Sequence, residues 1–487
     1  MSNRPSSGLL LSTLKQAPAG GTGPGGGWTM RTHALRVVGD RLVDPAGRQV
    51  RLRGFCCGGW MNMENFIIGY PGQESSFRAA VEKVLGPGRA RFFFSRMLDY
   101  ALAEDDIEFM AGLGATALRV PFNYRHFESD ARPFEYRADG LKRLDGIVDA
   151  CGRRGIYVIL DLHAAQGWQN PDWHSDNPGD TALLWTHSHF QERVAALWGF
   201  LASHYRDNPA IAGYNVLNEP VCPVRGALPA VYRRIISAIR KVDRNHALFL
   251  EGNWFSTDFS ELSPRLDGNT VFSSHNYSPP GFADGPYPGV IGGVRYDRVR
   301  LLKDDTARTS FMRRHKVPAW VGEFGAVYRG TARDESRTRL VDDSISVYEE
   351  LMAHWTIWTY KDIGMMGTAY VRPDSEWMHR TRKVRALKDR IGCDTWGARS
   401  SVCRRTIAGL VRGVRRVAGR AVNARKLEWD ANRMISGLLV SEALAEPFAE
   451  QFRGMNEKAI DRMMQSWAFR NCAVREPLAR VIAKYCL

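Results

Sequence analysis

Cysteines are scarce in this sequence, and long apolar runs are absent from it. Only 8 of its 487 residues are cysteine, they are scattered along the chain, and no two of them form a C-x-x-C pair. This usage argues against a disulfide scaffold or a zinc ribbon, and it is typical of reduced thiols in a cytoplasmic protein. No apolar run reaches 18 residues and the mean hydropathy is −0.32, which argues against a multi-span membrane protein.

Three common catalytic signatures are also missing. The sequence has no G-x-x-x-x-G-K-[ST] phosphate loop, no G-x-S-x-G elbow and no H-E-x-x-H zinc helix. His187-Ser188-His189 offers metal-binding residue types, but no third ligand follows at a suitable spacing, so surface histidines are the better interpretation. We expect neither a metal nor an organic cofactor, because side chains identified below can supply a nucleophile and proton transfers.

Residues 1–33 lack the features of a secretory signal. Their only apolar stretch is Leu9–Leu11, far shorter than the roughly 7–15 apolar residues of a signal-peptide core. Gly20–Gly27 has the composition of a flexible linker. These features predict a flexible N-terminal tail on a cytoplasmic protein.

The net charge of +15 is concentrated in one segment. Between Arg380 and Lys426 there are 15 Lys or Arg residues against only Asp389 and Asp394, so the rest of the chain is close to neutral. Within it, residues 404–426 predict a basic amphipathic helix, which could contact an anionic membrane surface. A helix that packs its apolar stripe on its own protein is the commoner case. The segment has no nucleic-acid reader motif, so we expect no nucleic-acid partner.

Short β-branched runs alternate with helical periodicity over residues 34–397. Because eight such runs occur, the pattern predicts an α/β fold of the (β/α)8 or TIM-barrel type. A doubly wound sheet is the alternative, but no glycine-rich phosphate fingerprint follows the first strand. Residues 398–487 predict only helices, and so an all-α C-terminal appendage. The eight predicted strands are Val50–Phe55, Ala117–Pro121, Tyr157–His163, Ala212–Glu219, Leu248–Gly252, Val271–His275, Ala319–Glu323 and Trp355–Tyr360.

Polar side chains collect at the predicted C-terminal ends of these strands, where barrel enzymes carry their active sites. They are Arg119, His163, Asn218 with Glu219, His275 with Tyr277, Glu323 and Trp358. Two carboxylic acids with separated pKa values are what glycoside hydrolysis needs. Arg119 and Tyr277 would keep Glu323 ionised, Asn218 would hold a sugar hydroxyl, and Glu219 would act as acid and then as base.

This ordered set resembles glycoside hydrolase family 5, the cellulase family, whose members are retaining β-glycosidases on a (β/α)8 barrel. The resemblance spans about Val37 to Trp396. Asn218-Glu219-Pro220 is similar to the family's acid/base motif, and Glu323 in Gly-Glu-Phe-Gly is similar to its nucleophile. Gly58-Gly59-Trp60 followed by Glu64 resembles the exo-1,3-β-glucanase branch, which implies that Glu64 binds a sugar hydroxyl. Residues similar to the family's supporting positions are Arg119, His163, His275, Tyr277 and Trp358.

The resemblance implies a retaining hydrolase of a β-glucoside, a glycolipid or a β-glucan, with its two carboxyl groups about 5–5.5 Å apart. A catalytically silent carbohydrate-binding barrel and a transglycosylase with the same residues are the alternatives. Trp168, Trp173 and Trp254 are each as compatible with core packing as with sugar stacking. The sequence leaves open the glycone, exo or endo action, and the oligomeric state.

Overall fold

Residues 34–283, 285–393 and 402–487 are described by the structure, which is a computed structural model. The predicted tail 1–33 and the predicted boundary at 397 lie outside the described residues, and the domain limits stay predictions. No helix among the described residues is long and apolar enough to span a membrane. None of the eight cysteines, all of which are described, forms a disulfide.

Eight parallel strands close into a barrel, which confirms the predicted (β/α)8 fold. The predicted fourth strand was too long, because pairing ends at Asn215 and leaves Asn218 and Glu219 in the following loop. The strands are β1 (Arg53–Cys56), β2 (Ala117–Asn123), β3 (Tyr157–Ala164), β4 (Ile211–Asn215), β5 (Ala247–Glu251), β6 (Thr270–His275), β7 (Ala319–Glu323) and β8 (His354–Trp358).

Tight packing between neighbouring strands requires glycine at two positions. A Cβ added at Gly54 would lie 2.0 Å from the carbonyl oxygen of Ala117, and one at Gly213 would lie 2.0 Å from that of Ala247. Both contacts are far shorter than van der Waals distance. Because the adjacent strand is so close, only glycine fits at either position.

The N-terminal end of the barrel is covered by a small antiparallel sheet. Its strands are Arg36–Val38, Arg41–Val43 and Gln49–Val50. Leu35, Leu42 and Leu52 are buried against residues near the starts of the barrel strands. This end is thus a packed apolar plug, and the opposite end is free to carry a cleft.

Helices surround the barrel and agree with the predicted helical periodicity. Their apolar faces are buried against the strands, as amphipathic spacing requires. The principal helices before the tail are Glu74–Leu85, Pro87–Ala101, Glu104–Gly112, Ala138–Arg153, Ser188–Tyr205, Ala227–Arg240, Arg298–Arg308, Ser310–His315, Asp334–Glu350 and Glu376–Ile391.

The C-terminal tail is mainly helical, as predicted, with two differences. Cys472–Val474 forms a short strand that pairs with Ala369–Val371, where only helices were expected. The predicted long basic helix is interrupted by the turn Gly419–Ala421, after which Asn423 caps a new helix. The tail elements are the helices Val402–Ala418, Ala424–Ala431, Val440–Ala449, Glu457–Met464 and Glu476–Cys486, with the π-helical segment Asn432–Leu439.

Aromatic side chains join this tail to the insertion before β2, which comprises the helices Glu74–Leu85 and Pro87–Ala101. Phe448 of the tail contacts Phe77 of the insertion with ring centroids 5.7 Å apart, and Phe452 contacts Phe93 at 4.8 Å. Trp377 stacks on Phe452 at 5.7 Å. Because these rings are buried, the tail and the insertion share one apolar core on the side of the barrel.

Candidate active site

Two carboxylates meet at the C-terminal end of the barrel. Glu323 is the last residue of β7, and Glu219 lies four residues beyond the end of β4. A carboxylate oxygen of Glu219 and one of Glu323 are within 4.8 Å of each other. This spacing is close to the about 5–5.5 Å of retaining glycosidases and shorter than the about 6.5–9.5 Å of inverting ones.

Donors on both carboxylate oxygens hold Glu323 in its ionised form. Arg119 donates to Oε1 at 2.5 Å, and the hydroxyl of Tyr277 donates to Oε2 at 2.8 Å. Burial alone would raise the pKa of Glu323, but the positive charges of His275 and Arg119 lower it to about 2. A carboxylate in this state can attack an electrophilic carbon at neutral pH.

Arg119 is a buried centre of the polar network below the cleft. Besides Glu323, its guanidinium donates to Asn218 at 2.7 Å and to Asn215 at 3.1 Å. Asp161 lies 3.1 Å from the same guanidinium. Because an arginine fork has fixed geometry, these contacts fix the direction from which it reaches Glu323.

The second carboxylate, Glu219, has a different environment. Its Oε1 lies 2.7 Å from Nδ1 of His275, and its Oε2 lies 3.3 Å from Nε2 of His174. Its backbone N–H donates to the buried carboxylate of Glu251 at 2.7 Å. The φ angle of Glu219 is 45°, in the left-handed region that disfavours a residue with a side chain. The hydrogen bond from the Glu219 N–H to Glu251 therefore holds a strained backbone in place.

His275 stands between the two carboxylates. Its Nδ1 is 3.6 Å from Glu323 in addition to its bond with Glu219. Burial alone would lower the pKa of His275, but the carboxylates of Glu251 and Glu323 raise it well above its ordinary value. His275 is therefore a proton-carrying group in contact with both acids.

The ring of His163 lies 5.9 Å from that of His174, and His163 and Trp358 together form another part of the cleft wall. The rings of His163 and Trp358 stack with centroids 5.3 Å apart and an angle of 8°. Asp161 and Glu64 lie on either side of the imidazole, at 2.8 Å and 3.1 Å. Burial alone would lower the pKa of His163, but Asp161 and Glu64 raise it to about 10.

The structure thus brings together every side chain predicted for the site. Sequence reasoning missed Glu251 and His174, which contact Glu219 directly. The sequence did contain a signal for Glu251, since it lies next to the end of the predicted barrel strand Leu248–Gly252 and ends the observed strand. His174 follows no strand, and only the fold of the long loop after β3 brings it to Glu219.

A cavity of about 440 Å³ opens above these groups. Of the three tryptophans considered as sugar platforms, Trp173 lines it, whereas Trp168 and Trp254 lie outside its lining. Its wall combines residues of the barrel loops with residues of the C-terminal tail. The lining residues are Glu64, Phe66, His163, Asp172, Trp173, His174, Glu219, Phe255, Tyr277, Glu323, Trp358, Trp429, Asn432, Arg433 and Gly437.

Glu219, His275 and Glu323 also have the donor types of a cation site, since one donor atom from each lies within 4.8 Å of the others. These atoms already have partners, however. Arg119 and Tyr277 donate to Glu323, and His275 is bonded to Glu219. A cation would have to lie next to the positive guanidinium of Arg119, so the trio suits proton transfer better than metal binding.

Comparison with known proteins agrees with this geometry. The model of the cellulase family (glycosyl hydrolase family 5) matches residues 90–364. A β-xylosidase of Phanerodontia chrysosporium is 41% identical over 464 residues, which cover 92% of this chain and 97% of that protein. Endoglucanase C of Acetivibrio thermocellus is 26% identical over 59% of this chain and 92% of its own length. A probable glucan 1,3-β-glucosidase A of Aspergillus fumigatus is 23% identical, over 65% and 84% respectively.

Proposed function

Since the chain belongs to glycosyl hydrolase family 5, and is therefore a retaining glycosidase that cleaves β-glycosidic bonds, we propose that Glu323 is its nucleophile and Glu219 its acid/base. One observation carries this assignment. Two carboxylates lie within 4.8 Å at the mouth of the barrel, and only Glu323 has its charge held by an arginine. The resulting difference in environment gives the two acids different roles.

In the first step, a carboxylate oxygen of Glu323 bonds to the anomeric carbon while the bond from that carbon to the leaving oxygen breaks. Glu219 gives its proton to the leaving oxygen. The hydrogen bond of His275 to Glu219 positions the carboxyl group for this transfer. As charge leaves Glu323, its contacts with Arg119 and Tyr277 weaken, and the covalent glycosyl-enzyme forms.

In the second step, Glu219 removes a proton from water as the water oxygen bonds to the anomeric carbon. The bond to Glu323 breaks, and its carboxylate recovers the donors Arg119 and Tyr277. The sugar leaves with retained configuration, because two inversions have occurred. Side chains supply the nucleophile and both proton transfers, so this reaction requires no cofactor.

The glycone is proposed to be a β-xylosyl or β-glucosyl unit. The relative named β-xylosidase supports this choice, because its similarity extends over 97% of its length. The wall formed by Glu64, His163 and Trp358 is proposed to bind the hydroxyls and one face of that sugar. A hydrogen-bonded acid and histidine next to an aromatic ring is a suitable surface for a pyranose.

Intact mass after incubation with 2,4-dinitrophenyl 2-deoxy-2-fluoro-β-glycosides tests this function. Fluorine slows hydrolysis of the intermediate more than its formation, so the enzyme should gain the mass of one fluorosugar from the xyloside or the glucoside. The gain should vanish in Glu323→Gln and persist in Glu219→Gln, because dinitrophenolate leaves without a proton. Glu128→Gln changes a buried carboxylate elsewhere in the barrel, bonded to Arg193, and should also be labelled. Labelling that persists in Glu323→Gln would overturn the assignment.

We also propose that the basic helix Val402–Ala418 contacts anionic membrane surfaces. Only Cys403 and Ile407 of this helix are buried, whereas Leu410 and Val417 are 44% and 91% exposed. Arg412, Arg415, Arg416 and Arg420 are also exposed around them. Co-sedimentation with phosphatidylserine vesicles should be salt-sensitive and should weaken in Arg415→Glu/Arg416→Glu. Absence of binding at low salt would refute this proposal.

A further inference from the structure

The C-terminal tail reaches the mouth of the barrel. Trp429, on the helix Ala424–Ala431, and Arg433, on the π-helical segment after it, line the same cavity as Glu219 and Glu323. The tail is anchored beside the cleft, where Gln73 donates to Glu442 at 2.7 Å.

A chain of aromatic contacts leads from Glu219 to the tail. His174 is 3.3 Å from Glu219, and its ring centroid is 6.3 Å from that of Phe255. Phe255 in turn contacts Trp429 at 6.4 Å, edge to face. Because the acid protonates the leaving oxygen, groups that extend outward from Glu219 line the leaving-group side of the cleft. In the same chain of contacts, Trp358 and Glu64 lie beyond His163, whose ring is 5.9 Å from that of His174.

The turn that carries Phe255 has a strained backbone. Trp254, Phe255 and Ser256 have φ angles of 53°, 56° and 63°, which side chains disfavour. The hydroxyl of Ser256 holds the turn by donating to the carbonyl of Ser273 at 2.7 Å. Strain of this kind persists where the surrounding structure imposes it, and it clusters at ligand sites.

Two tail side chains have the properties of ligand-binding groups. Trp429 is 57% exposed although it lines a cavity. The side chain of Arg433 is 14% exposed and its buried Nε has no hydrogen-bond partner. The acids nearest to its guanidinium, Asp430 and Asp180, are 3.6 Å and 3.9 Å away, beyond hydrogen-bond length. An aromatic face beside an unsatisfied donor fits a ring with one apolar face and oxygen acceptors on its rim.

We propose that the tail segment 429–437 forms the outer wall of the leaving-group subsite and selects leaving groups that are single six-membered rings, either a pyranose or a phenolic aglycone. This inference depends on the proposed roles of Glu219 and Glu323. The volume of about 440 Å³ is in the lower part of the about 300–1,000 Å³ range of small-molecule sites. A short glycoside therefore fits it better than a polymer chain.

Two trapping reagents with the same glycone test the proposal in the full-length chain. One is the 2,4-dinitrophenyl 2-deoxy-2-fluoro-β-glycoside, and the other is the corresponding glycosyl fluoride, whose leaving group is one atom and cannot reach Trp429. Trp429→Ala should lower the second-order rate of labelling by the aryl reagent about 10-fold to 100-fold, the effect of one lost aromatic contact. Its labelling by the fluoride should be unchanged. Leu439→Ala, at a 70% exposed position just beyond this segment and outside the cavity lining, should leave both rates unchanged.

The outcomes separate this inference from the proposed function. Equal slowing of both reagents by Trp429→Ala, or slowing of neither, would overturn the role of the tail while the wild type is still labelled. A wild-type enzyme labelled by neither reagent would overturn the proposed function itself, and the inference with it. Thermal unfolding of each variant shows whether the fold is kept.

Arg433→Met tests the polar part of the wall and distinguishes the two kinds of leaving group. It keeps an unbranched apolar stem and removes the donors. If the natural leaving group is a pyranose, kcat/KM for a β-linked disaccharide should fall about 10-fold while that for the aryl glycoside is unchanged. If kcat/KM of Arg433→Met were unchanged for both substrates, Arg433 would not be part of the leaving-group subsite.

Discussion

The carboxylate of Glu251 offers a sharp test of how the acid/base is positioned. It is fully buried, its Oε2 accepts the backbone N–H of Glu219 at 2.7 Å, and its Oε1 accepts Arg119 at 3.2 Å. Nε2 of His275 lies 3.4 Å from the same Oε1. Glu251→Gln keeps the shape but replaces one oxygen by NH2. In either amide orientation this NH2 group faces a donor, either the N–H of Glu219 or the guanidinium of Arg119.

The expected cost follows from these contacts. An unsatisfied buried donor costs about 1–3 kcal/mol. The left-handed backbone at Glu219 stores strain of a similar size, and the weakened hydrogen bond to Glu251 would no longer hold Glu219 in that conformation. We expect unfolding to become easier by about 2–4 kcal/mol and Glu219 to shift away from the leaving oxygen. Displacement of a general acid by about 1 Å costs about 100-fold in rate.

The assay compares two leaving groups on one glycone. With a methyl β-glycoside, which needs protonation, kcat/KM of Glu251→Gln should fall about 100-fold. With a 2,4-dinitrophenyl glycoside it should fall less than about 5-fold, because that leaving group needs little acid assistance. Tyr232→Phe is the matched control, since Tyr232 donates to the backbone carbonyl of Glu251 at 2.8 Å and not to its carboxylate. Equal losses with both substrates in Glu251→Gln would refute the positioning role.

Three further predictions concern pH and the glycone wall. The pKa of Glu323 is lowered from 4.5 to about 2, so its ionisation stabilises the fold above about pH 4.5 and this stability is lost as pH falls through about 2. Between pH 4.5 and 2, the free energy of unfolding should therefore change by up to about 3 kcal/mol less in Glu323→Gln than in the wild type, as measured by urea titration at each pH. Burial raises the pKa of Asp305 to about 7, so stability should fall as pH rises from about 4 to 7. Asp305→Asn, which keeps an acceptor for Asn276, should remove that slope in thermal unfolding, and an unchanged slope would contradict the assignment. Glu64→Gln should lower kcat/KM about 10-fold or more for every leaving group alike, because Glu64 is part of the glycone wall and holds His163. If the loss of kcat/KM differed between leaving groups, Glu64 would not belong to the glycone wall.

The barrel and most of its site were predictable because both follow repeating rules. Each β-branched run between amphipathic segments corresponds to a strand, and strand ends point to one mouth. Arg119, His275 and Glu323 were found in this way, and each lies on a strand in the structure. The same rule would have found Glu251.

Features that depend on contacts between distant segments were not predictable. His174 approaches Glu219 only because the loop after β3 folds back over the cleft, and loop paths carry no periodic signal. The strand Cys472–Val474 is three residues long and exists because Ala369–Val371 offers it an edge. No pattern in the sequence marked Trp429, and its place at the mouth follows from the turn Gly419–Ala421, which redirects the chain.

The tail brings Trp429 to the mouth about 100 residues further along the chain than Glu323. Bond-making groups and the outer wall of the cleft are therefore encoded in separate stretches of the gene. Mutations in the tail can alter which aglycones are accepted without touching the contacts among Arg119, His275 and Glu323. In a diverging lineage, new substrate preferences can arise by drift and selection in this appendage while the hydrolytic chemistry is inherited unchanged.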